Sequence, residues 1–211
     1  DHGEHAKKTC NHYYLPCIAR WPGKVRPGST CDELVGTVDI AATILDACGV
    51  SIPEGIDGRS FWPLITGEAY APHDHIVIER NFHGEKPTEG QKNHDDFYDP
   101  MRCVRTSEFA YVRYCEPSIR ARELYHWEIE GWTRDPGKVV GQWVQPRPGT
   151  PRPAVEFYDI RRDPQETIDL SGRAEYRASI ADLSAKLDAW QKAVDDHAAR
   201  GIVPVPGRQC G

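Results

Sequence analysis

The chain has 211 residues, enough for one domain with a real core, or for one domain and an appendage. Its hydrophobic (39%) and charged (27%) fractions are ordinary for a globular protein, and no apolar run approaches the length of a membrane span. A net charge of -6 with no basic block argues against nucleic acid as the main partner, and seven cysteines without a Cys-x-x-Cys pair exclude zinc ribbons and thioredoxin-like motifs.

The chain opens on Asp1-His2-Gly3-Glu4-His5, with no initiator Met and no leader pattern. So polar a cluster is expected at the end of a buried strand, with further chain before it. A hard divalent cation takes carboxylate oxygens, and an adjacent imidazole can add a nitrogen; a plain polar terminus fits the composition equally. Lys7-Lys8-Thr9 follows. An ammonium can hold an oxygen of a tetrahedral anion without accepting a proton from it, although a lysine pair is as a rule mere surface.

Leu15 to Trp21 reads as a short buried strand, closed by the turn Pro22-Gly23-Lys24. Thr37-Val38-Asp39 opens a helix with Asp39 as cap, an apolar stripe of Ile40, Ile44, Leu45 and Cys48, and Gly49 as the left-handed stop. Gly58-Arg59-Ser60 then leads into a short apolar turn around Phe61 and Trp62. His75 to Glu79 is a second strand; past its exit lies His83, where strand ends in α/β sheets line ligand crevices. Residues 81–99 read as a polar loop. Met101 to Thr106 and Ala110 to Cys115 form two strands about a tight turn, with Arg102 and Arg105 as structural ion-pair partners. Residues 116–153, with Trp127, Trp132 and Trp143, form an insertion loop packed by its own aromatics. Val155 to Ile160 is a further strand. From Tyr176 to about Ala199 a helix recurs on Ile180, Leu183, Leu187, Trp190 and Val194. The cysteines read as buried free thiols rather than disulfides.

Several motifs, in order, resemble the sulfatase family of the alkaline-phosphatase-like superfamily. They are Asp1-His2-Gly3, Ala6-Lys7-x-Thr9, Leu15-Pro16-Cys17-Ile18-x-Arg20-Trp21-Pro22-Gly23, Val38-Asp39-Ile40-Ala41-Ala42-Thr43-Ile44-Leu45-Asp46, and Gly58-Arg59-Ser60 with Pro63-Leu64-Ile65-x-Gly67. Met101-Arg102-x-Val104-Arg105-Thr106 and Phe157-Tyr158-Asp159-Ile160-x-x-Asp163-Pro164 are similar to the family's carboxy-terminal subdomain, and Phe97-Tyr98-Asp99-Pro100-Met101-Arg102 leans toward the heparan N-sulfatases.

The resemblance implies an α/β fold. Residues 1–100 would be the end of the mixed sheet of a catalytic domain, and 101–211 a small antiparallel sheet packed against the helix over 176–199. It implies a divalent metal, usually calcium, with Asp1 and His2 among its ligands. Lys7 would grip the sulfate and His83 would touch the substrate. Lys8 and His5 compete for these roles, because Asp1 to Lys7 is shorter than the family's spacing. The family's nucleophile is a formylglycine made within Cys-x-Pro/Ala-x-Arg. Cys115-Glu116-Pro117-Ser118-Ile119-Arg120 brings its arginine one residue too late, and Cys17-Ile18-Ala19-Arg20 one too early. The nucleophile is therefore expected upstream, and the chain alone is not expected to turn over a sulfated carbohydrate or other small sulfate ester. The other readings are a phosphonate or phosphodiester hydrolase of the same superfamily and a non-catalytic glycan-binding or interaction module.

Overall fold

In the computed structural model, residues 15–82, 98–115, 153–164 and 166–201 are described. They fall into two compact units, Leu15–Ile76 and a second that begins at Val77.

In the first unit the helix α1 spans Asp39–Ala47 and buries Asp39, Ala42 and Thr43. Its end is set by Gly49, at φ +69°. The Gly49 N–H donates to Asp46 O and the Val50 N–H to Leu45 O, each at 2.9 Å, which is the paired closure of a Schellman motif. The short helix α2, Trp62–Thr66, carries Pro63 in its first turn, where no intrahelical N–H is needed, and stops at Gly67 with φ +81°. Leu15 to Trp21 is not a strand. Leu15 is half-buried, the next six residues are exposed, and the turn after them closes through Lys24 and Val25 N–H groups on Trp21 O. A strand exists only against a ladder partner, and within the described residues no segment pairs with this one. Trp21 instead rests on Trp62, with ring centroids 5.2 Å apart.

The second unit is built on a four-stranded sheet, β1 Ile76–Phe82, β2 Tyr98–Arg105, β3 Phe109–Tyr114 and β4 Val155–Asp159, in that spatial order. β2 and β3 pair antiparallel with Met101 opposite Tyr114; β3 and β4 pair antiparallel with Phe109 opposite Asp159. Side chains alternate between faces, as the strand period of two requires. Met101, Cys103, Ala110, Val112, Tyr114 and Tyr158 form one cluster, with Ile78 and Ile160 against it. Val104, Tyr111 and Phe157 form the other, under Leu183 and Leu187 of the helix α3, Arg177–Ala193. Each fully buried aliphatic or Phe side chain in that contact contributes about 1.5–3 kcal/mol.

Two expectations are corrected here. The last helix ends at Ala193 rather than near Ala199, so Val194, expected in the apolar stripe, is 51% exposed. The chain turns through Asp195 at φ +52° and enters a short 3-10 turn at Ala198–Arg200. Cys103 is disulfide-bonded rather than a free thiol; Cys17, Cys31 and Cys48 are free but exposed rather than buried, and Cys115 is free and half-buried. No helix among the described residues is long and apolar enough to cross a membrane.

Candidate functional site

In the first unit, polar chemistry gathers on Asp39. Val38 occupies the cap position of α1 and offers no capping side chain, so Asp39 is the first helical residue rather than the cap. Its carboxylate is 1% exposed and is spent on three donors. Oδ2 accepts from the Gly36 N–H at 2.8 Å and lies 2.9 Å from His73 Nε2, and Oδ1 accepts from the Arg59 N–H at 2.9 Å. Arg59 Nε stands 3.3 Å from that same His73 Nε2. One ring nitrogen cannot both donate and accept, and the charge-assisted bond to a buried carboxylate is the stronger, so we assign the Nε2 proton to Asp39. The Arg59 guanidinium lies over the Tyr70 ring, 5.5 Å from its centroid. Burial raises the Tyr70 hydroxyl above its usual pKa, against the pull of Arg59.

The Gly58-Arg59-Ser60 motif is explained by this node. A Cβ on Gly58 would stand 2.0 Å from Val38 O, so only glycine permits the approach to the start of α1. Ser60 Oγ donates to Asp46 and accepts from the Trp62 N–H, while Thr43 Oγ1 accepts from the Phe61 N–H at 3.0 Å. Asp39→Ala would leave three donors short of a partner and is expected to cost about 2 kcal/mol in urea unfolding, with Asp39→Asn recovering part of the loss. Unchanged stability in Asp39→Ala would remove Asp39 as the keystone.

In the second unit Arg102, 1% exposed, meets Asp196 through two parallel bonds, Nε to Oδ2 at 3.0 Å and Nη2 to Oδ1 at 2.7 Å. Its remaining N–H groups go to Arg80 O, Met101 O and Asn81 Oδ1. Arg105 pairs with buried Glu166 at 2.7 Å. Both arginines are the structural ion-pair partners that the sequence suggests. Beside the pair is an open cleft of about 560 Å³ whose walls include Arg113, Cys115, Lys192 and Arg200. Arg113 is engaged by Asp188, Gln191 and Ser184. Burial pushes the Cys115 thiol up, away from the thiolate a nucleophile needs. These nodes support a fold and assemble no reaction centre.

Asp1, His2 and Lys7, their competitors His5 and Lys8, and His83 all lie outside the described residues. Among the described residues no group of three or more His, Cys, Asp or Glu side chains is arranged to hold a metal ion. Sequence reasoning missed His73: its partner Asp39 is 34 positions away, and no local pattern marks such a pair.

A family model described as "N-sulphoglucosamine sulphohydrolase, C-terminal" matches residues 9–141. An ulvan-active sulfatase of Formosa agariphila is 26% identical over 98% of this chain and 39% of its own length. An N-acetylglucosamine-6-O-sulfatase of Bacteroides thetaiotaomicron is 26% identical over 87% of the chain and 26% of its own length. The chain thus spans between a quarter and two fifths of these relatives. Among solved structures, one in complex with its substrate D-glucosamine-2-N,6-O-disulfate aligns with TM-score 0.54 and 22% identity over 84% of this chain and 28% of that one. A phosphonate monoester hydrolase of Silicibacter pomeroyi aligns with TM-score 0.52 and 20% identity over 85% and 29%. At such identities the two structures speak for the fold alone. The family match covers more than half of the sequence: the chain belongs to the N-sulphoglucosamine sulphohydrolase carboxy-terminal family and is the carboxy-terminal region of a sulfatase.

Proposed function

We propose that this chain serves an enzyme that hydrolyses sulfate groups on sugars, and that it supplies the sulfate-gripping side of the active site rather than the nucleophile. The observation that carries the reading is the alignment of an ulvan-active sulfatase along 98% of the chain. The N-acetylglucosamine-6-O-sulfatase relative favours the same substrate class, a sulfated carbohydrate.

In this reading Lys7 binds a sulfate oxygen. Its ammonium neutralises charge that grows as the S–O or S–N bond breaks, and it has no lone pair with which to take a proton. Asp1 and His2 supply an oxygen and a nitrogen to a divalent cation, with calcium the ion suited to a carboxylate donor. Such an ion, when bound, withdraws electron density from the sulfate. His83 hydrogen-bonds the substrate. The formylglycine belongs to the amino-terminal part of the enzyme, so the chain alone is inactive.

The test is an assay of the full-length enzyme on sulfated glycosaminoglycan and ulvan fragments. Release of inorganic sulfate is expected, with Lys7→Ala reducing it and Asp1→Ala weakening calcium binding more than tenfold by calorimetry. Turnover confined to phosphonates or phosphate diesters would defeat the sulfate assignment. Calcium affinity untouched by Asp1→Ala would remove that residue from the site.

A further inference from the structure

We propose that the cleft between β3 and the end of α3 is a subsite for an anionic sugar residue next to the one that carries the reacting sulfate, with Lys192 taking its anionic group. The inference rests on the sulfated-sugar reading above and extends it. The cleft, of about 560 Å³, is within the size range of small-molecule sites. Its walls are charged rather than apolar, which suits a ligand of hydroxyls and anions. Arg113 on β3 is held by Asp188, Gln191 and Ser184, and Arg200 by Asp195 at 3.3 Å. Lys192, in the last turn of α3, lines the cleft, is exposed, and has neither a hydrogen bond nor an ion pair among the described residues. Its ammonium is the cation left for a ligand among the described lining residues.

Such walls are not built to be covered by another part of an enzyme. An unpaired lysine is almost never taken out of water, and the Asp195–Arg200 pair is itself 74% and 47% exposed. Asp195 sits at φ +52°, at the helix end where glycine is the usual residue, and so brings a carboxylate to the cleft at a conformational cost. An exposed pair adds little stability, so its carboxylate and guanidinium are free to exchange with sugar hydroxyls as acceptor and donor. The place of the cleft fits the same ligand. β1 ends at Phe82, one residue before His83, and Arg102 donates to Arg80 O and Asn81 Oδ1 near that end. Arg102 also bonds Asp196, which lines the cleft. One side chain thus separates the exit of β1 from the cleft, and a sugar chain bound at that exit has the cleft beside it.

The test is calorimetry on the full-length enzyme with a sulfated monosaccharide and a sulfated glycosaminoglycan tetrasaccharide, which reads binding and needs no turnover. The wild type is expected to bind the tetrasaccharide at least about tenfold more tightly, and Lys192→Ala to cut that preference at least about fivefold. Lys192 is exposed and alanine favours a helix, so the fold of the variant is not at stake. Lys186→Ala removes the same charge from the same helix outside the cleft, and is expected to change the preference less than about twofold. A carboxyl-reduced tetrasaccharide identifies the group held: a preference that persists assigns it to a second sulfate, and one that vanishes assigns it to a carboxylate. A preference unchanged by Lys192→Ala, or lowered equally by Lys186→Ala, would overturn the proposal. Binding that depends on Lys192 without any release of sulfate would defeat the reaction proposed above and leave the subsite standing.

Discussion

Gly58→Ala is expected to destabilise the chain by about 3 kcal/mol, the cost of forcing a methyl group into a packed backbone. The added carbon would lie 2.0 Å from Val38 O, 2.5 Å from Val38 C and 2.9 Å from the Asp39 Cα, all main-chain atoms that cannot rotate away. Moving them apart would also stretch the bond from the Arg59 N–H to Asp39, so contact and polar node fail together. Gly55→Ala is the control. Gly55 sits at φ +89° with nothing within 4 Å of the point where a Cβ would stand, so its alanine meets conformational strain alone, about 1 kcal/mol. Urea midpoints for the two variants separate collision from backbone preference. Equal losses would mean that no close approach exists at position 58.

Removing one side of the Arg102–Asp196 pair is expected to cost about 3–5 kcal/mol, because the remaining partner is left ionised and buried. Asp196→Ala strands a guanidinium that is 1% exposed, and frees Gln191 Nε2 and the Ala198 N–H, which both donate to the same carboxylate. A double replacement of Arg102 and Asp196 by Met and Leu should restore part of the loss: it removes the stranded charge, while Gln191 Nε2, the Ala198 N–H and Asn81 Oδ1 still lose their partners. The pair also sets a pH dependence. Burial pushes the Asp196 carboxyl up, but the bonds from Arg102, Gln191 and Ala198 outweigh it and hold the group below its ordinary value. A carboxyl depressed in the folded state stabilises fully above its unfolded pKa, about 3.9 for Asp, and the contribution is lost as pH falls through the lower folded value. Asp196→Asn should therefore show a shallower loss of stability below about pH 4 than the wild type. Identical acid limbs would contradict this.

The sequence makes the sheet and both longer helices readable where the pattern is local. The strands β2, β3 and β4, the helical stripe positions Leu183 and Leu187, and Gly49 as a left-handed stop all stand as expected. Failures come where a distant partner decides. Leu15 to Trp21 has a strand's composition, and composition cannot supply a neighbour. The end of α3 looks helical through Val194, yet the chain breaks there so that Asp196 reaches an arginine 94 positions earlier. Asp39 looks like a cap by residue type, but its carboxylate is directed by Arg59 and His73 from 20 and 34 positions away. The family is legible because its motifs keep their order. Asp1 and His2, expected to hold the metal, Lys7, expected to grip the sulfate, and His83, expected to touch the substrate, lie outside the described residues, so their roles rest on that order.

The link between β2 and the turn after α3 also bears on synthesis. Arg102 leaves the ribosome 94 residues before Asp196, and until that aspartate arrives the guanidinium has no bidentate counter-ion within the strand it occupies. Early closure of the sheet would leave that buried cation only the largely exposed Glu79 of β1, 3.7 Å away, so the strands gain by consolidating with the helix in one cooperative step.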